Sequence, residues 1–131
     1  MTERMTVQQL HAAQASDKGD RRRVRGTERT TVDGITFASK REAKRFSELR
    51  LLERAGQIRD LRCQVPFDLQ GGAGPVMTKG GGKVRRYLAD FVYFDVALGV
   101  EVIEDAKGHD TDVSELKRAI MAANGLPVVL V

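Results

Sequence analysis

The sequence is poor in the residues that form disulfides and thiolate or imidazole metal sites. Cys63 is the single cysteine among 131 residues, which excludes an intramolecular disulfide and a cysteine-based zinc site. The two histidines, His11 and His109, lie far apart and form no H-x-x-x-H pair. No apolar run approaches the roughly 20 residues that a membrane-spanning helix needs, and the polar N-terminus has no signal-peptide pattern. These absences lead us to expect a cytoplasmic protein without a membrane partner.

Charge is only slightly biased toward one sign. The chain has 22 Lys and Arg against 18 Asp and Glu, a net charge of +4 and an isoelectric point near 9.5. A basic surplus suits a polyanionic partner such as nucleic acid, although on its own it identifies none. We expect a flexible basic arm over residues 1–31 and one folded domain over residues 32–131. The arm suits either a solvated segment or a segment that contacts phosphates.

Hydrophobic periodicity predicts an α/β fold in the order helix, strand, strand, strand, helix, strand. Ser39 is the predicted cap of the first helix, which ends before Gly56. The strands are predicted over residues 58–69, 84–95, 100–107 and 127–131. Such an order gives a sheet of mixed strand direction with helices packed on it.

Asp112 is the predicted cap of the second helix, with Glu115 completing a capping box. Its apolar residues recur at helical spacing and predict a stripe buried against the sheet: Val113, Leu116, Ile120 and Ala123. The glycine-rich segment 70–83 predicts a flexible loop. It is not a phosphate-binding P-loop, because neither Ser nor Thr follows Lys83.

Two acidic residues interrupt apolar strands, and a lysine follows the second of them. Asp90 lies within one strand, and Asp105 and Lys107 share one face of the next because side chains alternate. Burying an acid and a lysine is costly unless they pair or bind something. Aspartates on adjacent strands can hold Mg²⁺, which needs only one or two carboxylates, and Lys107 can stabilise a charged phosphate. A structural Asp–Lys ion pair is the alternative.

Glu42 falls on the apolar arc of the first helix, between Phe46 and Leu49 in projection. One interpretation is a capping box, in which Glu42 bonds back to the backbone of Ser39. The other is a carboxylate that the helix N-terminus presents to the metal site. The residue pattern leaves both interpretations open.

Basic residues cluster where the glycine-rich segment ends: Lys79, Lys83, Arg85 and Arg86. They fit a solvated loop, and they equally fit a clamp on a nucleic-acid backbone close to Asp90. We favour the clamp, with Lys117 of the second helix as a further contact.

At these residues the sequence resembles the PD-(D/E)XK nuclease superfamily, whose marker is a strand acid followed by acid-x-lysine on the next strand. It is also similar to a small phage- and prophage-encoded family related to Holliday junction resolvases. The resemblance runs from about Gly34 to Asn124. It is carried by Phe37-x-Ser39-x-x-Glu42, Gln64, Ala89-Asp90-Phe91, Glu104-Asp105-x-Lys107-Gly108, Thr111 and Leu116-Lys117.

The resemblance implies a restriction-endonuclease-like fold, in which helices flank a mixed β-sheet. It also implies Mg²⁺-dependent DNA hydrolysis, with Mn²⁺ as a substitute metal. Asp90, Asp105 and Glu42 would be the metal ligands, and Lys107 the catalytic lysine. Further positions that it implicates are Gln64, Glu104 and Thr111. Glu104 has the opposite strand parity from Asp105, so we expect it to face away.

The substrate implied by the resemblance is branched or recombination-intermediate DNA in a phage-infected bacterial cell. A homodimer is expected because two strands must be cut, and no small-molecule cofactor is expected. Two other classes stay open: a non-catalytic nucleic-acid-binding module with the same fold, and a protein-interaction subunit of a larger phage assembly. The acids favour the nuclease, because a pure binder gains nothing from buried carboxylates near phosphate.

Overall fold

A β-hairpin begins the part of the chain that the computed structural model describes, residues 28–131. Its strands are β1 (Thr30–Val32) and β2 (Ile35–Phe37), which are antiparallel and joined by a tight turn. β1 therefore starts just before the predicted domain boundary. The remainder of the predicted basic arm lies outside the described residues.

The first helix and the main strands follow the predicted order, with short strands added. α1 spans Lys40–Arg54 and is capped by Ser39, as predicted. The strands after α1 are β3 (Ile58–Asp68), β4 (Gln70–Gly71), β5 (Gly74–Pro75), β6 (Arg86–Asp95), β7 (Val100–Asp105) and β8 (Val128–Leu130). α2 spans Asp112–Ala123 and connects β7 to β8.

One four-stranded sheet has the strand order β3-β6-β7-β8. The β3–β6 and β6–β7 pairs are antiparallel and the β7–β8 pair is parallel, so the sheet is mixed, as predicted. The parallel pair requires a crossover, which α2 provides. None of the helices in this part of the chain is long and apolar enough to cross a membrane.

Two hydrophobic clusters cover opposite faces of the sheet. The first contains Phe91 of β6 and packs against Phe46 of α1. The second contains Val92 and packs against Met121 of α2. Because Phe91 and Val92 are neighbours in one strand, their side chains point to opposite faces, and the two helices therefore flank the sheet.

The apolar side of β3 passes from one cluster to the other at Gln64. Leu61 and Cys63 pack on the first cluster, whereas Val65 and Phe67 pack on the second. Gln64 has a φ of 55°, a left-handed conformation that is uncommon for a residue other than glycine. The change of face therefore coincides with a local distortion of the strand.

The predicted buried stripe of α2 is correct at Ile120, which packs half-buried on the second cluster, and wrong at its other three residues, which are exposed. Val113 is 63% and Leu116 is 61% exposed, and Met121 is the residue of this helix that is fully buried. Thr111 rather than Asp112 caps the helix, because its hydroxyl accepts the Ser114 N–H at 3.1 Å. The helix is therefore rotated relative to the orientation that its apolar residues suggested.

The glycine-rich segment 70–83 is a regular extension rather than an unpaired loop. β4 and β5 form a small ladder, and an isolated bridge joins Met77 to Val84. Arg85 N–H donates to Val76 O at 2.7 Å, which ties the extension to the start of β6. The predicted loop is thus corrected to a hairpin-like projection from the sheet.

The orientation of α2 can be tested by comparing two truncations. Met121→Ala should lower the free energy of unfolding by about 2–5 kcal/mol, because it leaves a cavity in the second cluster. Leu116→Ala should change it by less than about 1 kcal/mol, because that side chain lies in solvent. Urea denaturation of both variants measures the difference. Equal losses would contradict the observed rotation.

Candidate functional site

β6 and β7 separate at the candidate site. Their ladder ends at Phe91 and Glu104, and the next opposed residues, Asp90 and Asp105, are joined through their side chains. Asp105 Oδ1 accepts the Asp90 N–H at 3.1 Å, and Asp90 Oδ2 accepts the Ala106 N–H at 2.9 Å. The two carboxylates therefore satisfy backbone groups that the strands can no longer pair.

Lys107 lies beside Asp105, as strand alternation predicted. Its Nζ is 3.3 Å from Asp105 Oδ2, and the Tyr87 hydroxyl donates to the same oxygen. The backbone N–H of Lys107 donates to Val131 O at 3.2 Å, so β8 fixes where Lys107 leaves the sheet. Asp105 is 2% exposed, whereas Lys107 retains contact with solvent.

Glu42 reaches the site from the first turn of α1. Ser39 Oγ accepts the Glu42 N–H at 3.2 Å, which is the predicted cap. The return bond differs from a capping box, because Glu42 Oε1 accepts the Ala38 N–H at 3.1 Å rather than that of Ser39. Glu42 is 8% exposed. Its carboxyl lies close enough to Asp90 to change that residue's proton affinity.

Asp90 and Asp105 resist ionisation. Burial, together with the neighbouring Glu42 carboxyl, raises the pKa of Asp90 from 3.8 to about 6. Burial also raises the pKa of Asp105, against the hydrogen bond from Tyr87, and the negative charge of Asp90 adds to the rise. Three carboxyl groups thus crowd a desolvated region where Lys107 is the cation that contacts Asp105.

Gln64 contributes an amide to this region from β3. Its Nε2 donates to Asp90 Oδ1 at 3.3 Å, and its backbone has the positive φ described above. A left-handed residue other than glycine costs roughly 1–2 kcal/mol. The sequence predicted Gln64 only by resemblance, and the structure brings it to the acids.

Glu104 lies on the opposite face of the sheet, as its parity predicted. It is 2% exposed, and Arg45 donates to both of its oxygens at 2.8 and 2.7 Å. The Tyr93 hydroxyl also donates to this carboxylate. The hydrogen bond to Glu104 raises the pKa of Arg45. Glu104 is therefore a compensated structural acid, separate from Asp90 and Asp105.

The predicted DNA-contacting residues are dispersed. Lys79 and Lys83 are exposed on the glycine-rich extension, and Arg86 Nε is 2.7 Å from Asp68 Oδ1. Arg85 and Lys117 converge on a groove of about 280 Å³, where apolar residues complete the lining: Leu69, Val76, Val113, Leu116 and Ile120. The structure therefore brings Lys117 of α2 to Arg85, while Lys79 and Lys83 lie together in the turn at residues 78–83.

Two residues behind the site were missed by the sequence reasoning. The Tyr87 hydroxyl donates to Asp105, and the positive charge of Arg118 opposes the rise that burial causes in the pKa of Tyr87. Arg118 is held by the carboxylate of Asp110, with NH1 donating at 3.0 Å to Oδ1. Thr111, expected at the site by resemblance, serves instead as the cap of α2. No spacing in the sequence signals these contacts, because they join separate elements.

The donor set fits a magnesium ion bound by few protein ligands. Asp90 and Asp105 supply hard carboxylate oxygens in a region where burial raises the pKa of both residues. Within residues 28–131, no three Asp, Glu, His or Cys side chains form a ready-made metal cage. Mg²⁺ tolerates this, because it usually binds one or two carboxylates and keeps several waters.

The raised pKa of Asp90 predicts a pH-dependent stability. Because its folded pKa of about 6 exceeds the ordinary 3.8, the folded state holds the proton more tightly. The free energy of unfolding should therefore fall as pH rises through this interval, by on the order of 1–2 kcal/mol after solvent screening. Urea titrations in chelator measure the slope, and Asp90→Asn should flatten it. If the free energy of unfolding changes with pH equally in the wild type and in Asp90→Asn, Asp90 is not the cause of the pH dependence.

Tyr87 should support metal binding through Asp105. Tyr87→Phe removes the donated hydroxyl but keeps the ring, so we expect Mg²⁺ affinity to fall about 10- to 100-fold. Tyr93→Phe is the matched control, because it removes the corresponding hydroxyl from Glu104 on the other face. Calorimetric titration with Mg²⁺ measures both variants. Equal Mg²⁺ affinities in the two variants would show that Tyr87 does not support metal binding.

Comparison with known proteins adds a family and no function. No curated protein matches the sequence, and no solved structure matches it. The family model described as "Protein of unknown function (DUF1064)" matches residues 22–127. That match spans α1, the four-stranded sheet's first three strands, the acid residues and α2. The chain therefore belongs to the DUF1064 family.

Proposed function

We propose that this chain is a divalent-metal-dependent endonuclease that hydrolyses phosphodiester bonds in DNA. The observation that carries the proposal is the convergence of Asp90, Asp105 and Lys107 where β6 and β7 separate. Glu42 brings a further carboxyl to Asp90. Hydrogen bonds from backbone N–H groups hold the carboxylates of Asp90 and Asp105 in place. Their arrangement is therefore a fixed feature of the fold.

A bound Mg²⁺ would lower the pKa of a coordinated water and offset charge on the phosphate. The chain's own residues supply what remains. Asp90 and Asp105 would hold the ion, with Gln64 fixing the position of the Asp90 carboxylate. Lys107 has a compact positive charge beside Asp105, and it would stabilise the extra negative charge that develops on the phosphate.

The fold and the residue pattern together support a restriction-endonuclease-like domain of the PD-(D/E)XK type. A mixed sheet with helices on both faces agrees with that expectation, as does an acid on one strand followed by Asp105-x-Lys107 on the next. Branched DNA in a phage setting is the substrate we propose, by resemblance to junction resolvases. A homodimer is proposed with it, because a junction is resolved by two symmetric cuts.

A non-catalytic DNA-binding module is the second candidate, and one observation favours it. Both carboxylates already accept backbone hydrogen bonds, so Asp90 and Asp105 serve a structural purpose without any metal. In that case the two carboxylates would serve only to hold β6 and β7 together by hydrogen bonds. The raised pKa of Asp90 favours the nuclease over this candidate, because a purely structural clamp gains nothing from a neighbouring third acid.

Cleavage of a labelled four-way junction in Mg²⁺ tests the proposal. We expect the wild type to cut it, Asp105→Asn to lose detectable cutting, and Lys107→Met to lose about 100- to 1,000-fold in rate, since each removes a charge from the site. A linear duplex of the same sequence tests the preference for branched DNA. Mn²⁺ should replace Mg²⁺.

Asp68→Asn is a matched control, because Asp68 is an exposed aspartate on the edge strand that pairs with Arg86. It should cut the junction at the wild-type rate. If the wild type binds the junction but cuts it in neither Mg²⁺ nor Mn²⁺, the binding module replaces the nuclease.

A further inference from the structure

A small cationic pocket lies on α1, apart from the basic residues discussed above. It encloses about 160 Å³ and is lined by Arg41, Lys44, Arg45, Glu48 and Val131. The four helical residues follow one another at intervals of three, one and three positions, so they share one face of α1. Val131 at the end of β8 forms the opposite wall. The pocket is therefore built between α1 and the edge of the sheet.

The pocket borders the acid cluster through Arg41. Arg41 NH1 donates to Val131 O at 3.4 Å, and the same carbonyl accepts the Lys107 N–H. A Cβ atom placed on Gly108 would lie 3.4 Å from Arg41 Nε, so the guanidinium group packs directly against the chain after Lys107. In sequence, Arg41 immediately precedes Glu42. The pocket and the candidate site thus share a boundary.

Arg41 and Lys44 are the cations of the pocket that pair with no Asp or Glu side chain of residues 28–131. Arg45 is committed to Glu104 on one side and to Glu48 at 3.1 Å on the other. Arg41 NH1 contacts Val131 O, as described above. Arg45 therefore lines the pocket and holds Glu48 in place, while Arg41 and Lys44 are exposed to solvent.

We propose that Arg41 and Lys44 bind a backbone phosphate of the DNA, next to the phosphate that faces Lys107. This inference rests on the proposed action on DNA. The planar guanidinium group of an arginine and the compact ammonium group of a lysine can together bind the oxygens of a phosphate. Exposed cations contribute most to DNA affinity when no carboxylate already pairs with them. Arg85 precedes β6 and lies five positions before Asp90, about 17 Å along an extended chain, so it is the more distant contact.

Salt-dependent DNA binding tests this site. Fluorescence anisotropy with a labelled four-way junction, in EDTA so that no strand is cut, gives the affinity at several salt concentrations. Arg41→Gln combined with Lys44→Gln should weaken binding about tenfold at low salt and reduce the slope of log affinity against log salt by about 1. The Arg41→Lys variant should keep most of the affinity.

Lys40→Gln combined with Arg54→Gln is the matched control, because it removes the same charge from the same helix outside the pocket. Lys40 pairs with Glu28, and Arg54 is in the last turn of α1. The inference is overturned if both double variants bind alike, or if the wild type binds no DNA. Loss confined to the pocket variant supports it. Binding through the pocket without cutting in Mg²⁺ would refute cleavage and leave the phosphate site standing.

Discussion

The separation of β6 and β7 is the constraint on which the site depends. Two antiparallel strands that move apart leave backbone N–H groups without partners, and burial makes that costly. Here Asp90 and Asp105 accept those N–H groups across the gap, each from the opposite strand. The two carboxylates are therefore held side by side by the same bonds that end the ladder. Lys107 follows directly, at the point where β7 leaves the sheet.

Neighbouring acids in β7 show two different ways of burying a carboxylate. Glu104 receives two hydrogen bonds from Arg45 and another from Tyr93, so its charge is compensated on the α1 face. Asp105, on the other face, lies near Asp90, and within residues 28–131 its ionic partner is Lys107 alone. Buried charge that lacks a full partner is expensive. This free-energy cost is present at Asp105, and a bound divalent cation would reduce it.

The sequence predicted local features well and the orientation of elements poorly. The cap at Ser39, the strands over residues 84–95 and 100–107, and the shared face of Asp105 and Lys107 follow from spacing, because each depends on a few adjacent residues. The stripe through Val113 and Leu116 was misleading. Helical spacing identifies an apolar face, but which part of it meets the sheet depends on how Met121 fits between the strands.

Contacts between distant elements escaped prediction for a different reason. Arg45 with Glu104, and Tyr87 with Asp105, join residues whose proximity follows from the sheet order and strand register. Neither contact can be deduced from the spacing of apolar residues in the sequence. The positive φ of Gln64 was likewise unsignalled, since glutamine carries no preference for that conformation. Of these residues, Tyr87 and Gln64 are the ones that contact the two strand acids directly.

The parallel pairing of β8 has a consequence for the order of folding. β6 and β7 are a local hairpin, so Asp90 and Asp105 can meet early, at little cost in loop closure. The Val131 backbone that anchors Lys107 and Arg41 arrives only after α2 has crossed over the sheet. Such long-range parallel contacts form slowly. We therefore expect a partly folded chain to bring Asp90 and Asp105 together before Lys107 and Arg41 are anchored beside them, so that the complete site forms only in the fully folded domain.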